Sequence, residues 1–273
     1  MTRLWKKPTA SRAIDLPTVI AIAAVCNVAA NFIHEGIGHG AIAVLFGAHI
    51  IHISNVDLSY DERALSSTQN RIVAIAGPLA NLITGAVVIA LSRRWTPAST
   101  ANRYFLWLFG ITNLLSFGGY LMALSFASYG DIREFALGLA APFVWKLGLT
   151  VIGLATSFAV LFFGIRTIGP WIADPTDRRQ RVLVLTLVPY LTMGILATSA
   201  GALNPDSPML ILLSAGSASF GGNAFLAWMP KWIRRVTIPV TEPIGVARSV
   251  PWLITAAFAV LILYIGLAPG LPR

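Results

Sequence analysis

"HEGIGHG", residues 34–40, closes an apolar run that begins near Leu16. Its reading decides the fold, because two histidines, a glutamate and three glycines would lie at the depth of a membrane. The chain has 273 residues, of which 56% are hydrophobic and only 11% charged, with a mean hydropathy of +0.73. Soluble domains carry about 25% charged residues. The deficit means that lipid is the solvent for most segments. A spanning helix needs about 20 mostly apolar residues, and seven stretches qualify: 17–45, 70–92, 103–127, 143–165, 182–202, 207–229 and 250–269. The expected fold is an all-α polytopic membrane protein of about seven transmembrane helices. "GAHIIHISNVDLSYDER" (47–63), rich in β-branched residues and nearly alternating, predicts a short β-hairpin after the first span.

Charge predicts orientation. Net charge is +9, but the basic residues fall in short clusters between apolar runs, unlike the continuous patch that nucleic acid requires, so no nucleic-acid partner is expected. Arg3, Lys6, Lys7 and Arg12 precede the first span; Arg93, Arg94 and Arg103 join the second to the third. Arg166, Arg178, Arg179 and Arg181 join the fourth to the fifth, and Lys231, Arg234, Arg235 and Arg248 the sixth to the seventh. These segments hold 15 of the 20 basic residues. The positive-inside rule then predicts a cytoplasmic N-terminus and a C-terminus outside. The basic start, "MTRLWKKPTASRAIDL", lacks an evident cleavage site and reads as the lead of an uncleaved span. The single cysteine, Cys26, excludes an intramolecular disulfide and a cysteine-built zinc site.

All four histidines, His34, His39, His49 and His52, lie within 19 residues, and Glu35 is the only acidic residue inside an expected span. Ionisable groups at this depth cost several kcal/mol unless paired or metal-bound. Imidazole and carboxylate ligands suit zinc, and a glutamate outside the metal shell serves as general base. The spacing is unusual. On an α-helix, positions four apart differ by about 40° and share a face, whereas five apart differ by about 140°. Two solutions meet this. A π-bulge, cheapened by Gly36 and Gly38, brings His34 and His39 together. Alternatively Glu35, four residues from His39, is itself the ligand and His34 stands aside. The structural alternative has the glycines serving close helix approach and the histidines only polar contacts.

"IHEGIGHGAIAVLFGAHI" resembles the first signature of the site-2 protease family of intramembrane zinc metallopeptidases. "AIAGPLANLITGAVVIAL" resembles that family's A-G-P-x-x-N segment, here Gly77, Pro78 and Asn81, in which a kinked helix presents an asparagine to the site. The resemblance covers about residues 25–135. It implies zinc on His34, His39 and an aspartate, Glu35 as general base, and Asn81 assisting catalysis at the oxyanion. It also implies a transmembrane protein substrate within a lipid bilayer, and an integral protein of a bacterial inner membrane. The third ligand is expected at Asp131 in "ASYGDIREF", with Glu134, Asp57 and Asp61 as competitors. There Gly130 precedes the aspartate, whereas the family's glycine follows it. The predicted topology also places the motif toward the non-cytoplasmic face, where the family usually works near the cytoplasmic side. Residues 1–135 are expected to form the metallopeptidase-like core and 136–273 additional helices, within a single membrane domain. "SFGGNAF" (219–225) matches no pattern. A metal-free scaffold is one alternative. A transporter is another, but the nearly unbroken apolarity of the fourth and seventh spans opposes it. A di-iron oxidase needs more than four histidines.

Overall fold

The computed structural model describes residues 13–95, 97–204, 213–239 and 243–271. The first span is continuous from Leu16 to Leu45 but changes winding within it. It runs as α1 (Leu16–Phe32), a π-helix (Ile33–Gly40) and α2 (Ala41–Leu45). Asp15 caps its start by accepting the Thr18 N–H at 3.0 Å. The hairpin follows, β1 (Ile50–Ile53) pairing antiparallel with β2 (Leu58–Tyr60). Then come α3 (Ser67–Arg94), α4 (Thr100–Leu124), the short α5 (Asp131–Ala136) and α6 (Pro142–Thr167). The fifth long helical span is Arg178–Gly201 and the last is Val250–Leu267.

The fold is therefore an all-α polytopic membrane protein with a small two-stranded hairpin, and six helices among the described residues are long and apolar enough to cross a bilayer. The segment expected at 207–229 begins outside the described residues. From 213 it is helical, through a π-turn at Ser217–Gly221 to the α-helix Ala224–Trp232. Expected and observed span boundaries otherwise agree to within a few residues.

α4 is the central helix, with 72% of its apolar window buried against 17% for the last span. Tyr104, Leu108, Ile111 and Leu115 of α4 pack with Ile22 and Cys26 of α1, Leu161 and Ile165 of α6, and Phe225 and Met229. Lipid tails are as apolar as these side chains, so van der Waals fit and interhelical hydrogen bonds hold the bundle, not apolar transfer. Tyr104 donates to the Leu185 carbonyl at 2.8 Å, and Trp107 Nε1 to Thr167 at 3.0 Å.

The two ends of the bundle differ. One end gathers the N-cap of α1, the C-terminus of α3 with Arg93 and Arg94, and the basic segment around Arg178. It is tied by the Asp15 N–H to the Val246 carbonyl at 2.9 Å, and by Arg181 Nη1 to the Trp171 carbonyl at 3.2 Å. The other end carries the hairpin, α5 and the end of the last span. Leu271 N–H bonds the Ile53 carbonyl at 3.0 Å, so the tail extends the hairpin by one bridge.

Candidate metal centre

The π-helix resolves the spacing. Its bonds run from each N–H to the carbonyl five residues back, as Ala41 N–H does to Gly36. Residues five apart are thereby stacked, and His34 and His39 meet with ring centroids 4.9 Å apart and planes at 78°. Undisturbed α-winding would have turned the rings away from each other. The distorted stretch covers eight residues, the whole of "IHEGIGHG", which is wider than a one-turn bulge.

Asp131 closes the group. Its Oδ2 lies 3.1 Å from His34 Nε2 and 3.2 Å from His39 Nε2. The three ligand atoms all lie within 4.8 Å of one another, so His34, His39 and Asp131 can hold a metal ion. Asp131 opens α5 directly after Gly130, whose φ of +82° is the left-handed conformation glycine adopts freely. Its N–H donates to the Tyr120 hydroxyl at 3.3 Å, and Arg71 Nε holds the far side of this loop through the Leu137 carbonyl at 3.1 Å. Burial pushes the Asp131 carboxyl up, but the positive charge of the His39 and His34 rings, when protonated, outweighs it and holds the carboxyl well below the usual carboxylate range.

The outer nitrogens of both rings are anchored. His34 Nδ1 sits 2.6 Å from Asn81 Oδ1, and His39 Nδ1 sits 2.7 Å from the Val73 carbonyl. A carbonyl-type oxygen only accepts, so each Nδ1 carries a proton, which leaves Nε2 as the inward nitrogen that a metal would take. Asn81, 1% exposed, spends its amide hydrogens on the Ala30 carbonyl at 3.1 Å and Asn113 Oδ1 at 2.9 Å. Asn113 in turn donates to the Phe109 carbonyl at 2.8 Å. Asn81 therefore meets the site only through Oδ1 on His34, and neither of its N–H groups faces a reacting oxygen.

The residues fit a metal on two further observations. His39 Nε2 is buried and makes no properly directed hydrogen bond, despite the carboxylate beside it. Second, α3 crosses the π-helix at Gly77 and Gly38. A Cβ on Gly38 would lie 2.5 Å from the Gly77 Cα, and a Cβ on Gly77 would strike His39 Nε2 and come within 2.8 Å of His34 Nε2. Any side chain at Gly77 would enter the space beside both Nε2 atoms. Pro78, next in line, lacks the N–H that would serve the Ala74 carbonyl.

His34, His39 and Asp131 line a cavity of about 260 Å³; Glu35, 9% exposed, lines it too but is not one of the three ligand residues. Of the competing acids, Asp57 and Glu134 line the cavity. Asp57 accepts from Ser59 at 3.3 Å, Glu134 pairs with Arg133, and Asp61 caps the turn at Glu62–Ala64. His52 is buried in β1, where its ring fills the place beside Gly270, and His49 is exposed. Neither joins the metal group. Tyr120, Asn113 and the Val73 carbonyl escaped the sequence reading because nothing in their local pattern distinguishes them from packing residues. "SFGGNAF" did carry a signal: Ser219 and Asn223 line the cavity, so residues beyond 135 help to wall it. No protein family, curated protein or solved structure matches this chain.

Proposed function

We propose that the chain is an intramembrane zinc metallopeptidase that hydrolyses peptide bonds of membrane-embedded proteins. The observation that carries this reading is the eight-residue π-helix, which turns a five-residue histidine spacing into one converging pair beside Asp131. Two imidazoles and one carboxylate are a zinc-type donor set that leaves a fourth position open. When bound there, zinc supplies Lewis acidity, bringing a water toward neutral acidity and polarising a carbonyl.

The chain's residues divide the remaining work. Glu35, buried next to the triad and outside it, takes the proton of the attacking water and passes it to the leaving amine. Asn81 positions His34 and fixes its tautomer through Oδ1; with both N–H bonds occupied, it is a positioning residue and not an oxyanion donor. The basic loops lie at the opposite end from the site. The same reading therefore places the N-terminus in the cytoplasm and opens the site toward the non-cytoplasmic face.

The test is Glu35→Gln in purified protein, followed by metal content and cleavage of a co-expressed single-span substrate. The expected result is about one zinc per chain in both proteins, with cleavage reduced by about 10²–10⁴-fold in the variant. Wild-type protein that retains no zinc, or a variant that cleaves normally, overturns the proposal.

A further inference from the structure

The cavity continues inward beyond the triad, and three helical segments each line it with two polar side chains one turn apart. These are Asn27 and Asn31 of α1, Thr112 and Ser116 of α4, and Ser219 and Asn223 of the segment from 213 to 232. Asn27, Asn31 and Glu35 recur at a spacing of four, so a polar stripe leads from Glu35 back along α1. Polar side chains inside spans are rare and by default functional. Two of the six stand out. Asn27 is 4% and Asn223 6% exposed. Asn27 Nδ2 and Asn223 Oδ1 make no hydrogen bond to any described residue. Buried polar groups are nearly always satisfied, so an unpartnered donor and an unpartnered acceptor on two residues that line one cavity require an account. The fold invests in this arrangement. Gly119 of α4 meets the Gly222 backbone so closely that a Cβ there would overlap it, which brings Asn223 against the central helix.

One unpartnered N–H donor and one unpartnered carbonyl-type acceptor, both uncharged, are the complement of an amide. We propose that Asn27 and Asn223 form a substrate subsite for an uncharged amide group, with Asn27 donating to its oxygen and Asn223 accepting from its N–H. The proposal rests on the peptidase reading above and adds to it a preference at a position away from the scissile bond. An Asn or Gln side chain of the substrate presents this pair of groups, and so does a main-chain amide freed by unwinding.

The test uses Glu35→Gln protein in lipid nanodiscs and three fluorescent leucine-rich transmembrane peptides. Their centres carry a Gln, a Leu or a Gly-Gly pair. The Gln peptide is expected to bind about tenfold more tightly than the Leu peptide, as two modest hydrogen bonds allow. Asn27→Leu and Asn223→Leu, each added to that background, should abolish the difference without weakening the Leu peptide, and Asn27→Gln should keep part of it. A Gly-Gly peptide that shares the preference, and loses it in the same variants, assigns the amide to the main chain. Equal binding of Gln and Leu peptides, or equal weakening of all three by the Leu variants, overturns the subsite and leaves the asparagines as water or packing contacts. Zinc is measured on the same preparations. Missing zinc with an intact preference overturns the peptidase reading alone, and bound zinc without a preference overturns the subsite alone.

Discussion

His34 owes its orientation to an amide chain that crosses three helices: His34 Nδ1 to Asn81, Asn81 to Asn113, and Asn113 to the Phe109 carbonyl. Outer contacts of this kind typically contribute 10–100-fold to metal affinity. On the zinc-peptidase reading, Asn81→Ala is therefore expected to weaken zinc binding by about 10–100-fold, measured by competition with a chelating dye, while cleavage at saturating zinc recovers most of its rate. A merely structural Asn81 would lower thermal stability and leave the affinity unchanged. Gly77 offers a sharper residue-scale test, since a methyl group there would strike both Nε2 atoms. Gly77→Ala should abolish stoichiometric zinc, read by elemental analysis of the purified protein. Full zinc content in that variant would show that the rings do not share an ion beside Gly77.

At the scale of elements, the site is a crossing of the first span with α3 plus a loop brought up from below. The π-helix aims the rings, and the Gly38–Gly77 contact sets how deeply α3 lies against it. Small residues at such contacts let backbones approach. Gly38→Val pushes α3 away and moves Val73 and Asn81 off the two imidazoles. It is expected to lower stability by about 1–3 kcal/mol and to impair zinc binding together with it, checked by thermal unfolding with and without added zinc. The hairpin is held to the same region by Tyr60, whose hydroxyl bonds Asn70 Oδ1 at 3.1 Å. Burial and the nearby Glu62, Glu134 and Asp131 push the Tyr60 phenol up to about 12, so it stays a neutral hydrogen-bonding group through the physiological range.

At the scale of the molecule, charge asymmetry and site position can be tested together. With Cys26 replaced by Ala, single cysteines at Glu62 and Arg94 occupy exposed positions at opposite ends of the bundle. In intact cells a membrane-impermeant maleimide is expected to label the cysteine at Glu62 and to spare that at Arg94 until the cells are opened. The reverse pattern would put the site on the cytoplasmic side. The cavity likewise belongs to the whole bundle: Met193 and Asn223 wall it along with His34 and Asp131. The expected division at residue 135 marks where the motifs lie, while the cavity is built by both parts.

The amino-acid sequence by itself determined six of the seven expected spans, the hairpin, the clustering of charge by end and the identity of the ligand candidates. Each of these is a local matter of apolar length, alternation or residue type. The choice between a π-bulge and a Glu35–His39 pair needed the tertiary structure, because winding over residues 33–40 depends on what α3 packs against it. The choice of Asp131 over Asp57, Asp61 and Glu134 also needed it, since the 91 residues of chain between His39 and Asp131 close up only through the crossing of α3 and α4. The role of Asn81 was hidden for the same reason. An asparagine's hydrogen bonds are apportioned by neighbours distant in the chain, and no pattern along the chain records which of its atoms will be left free.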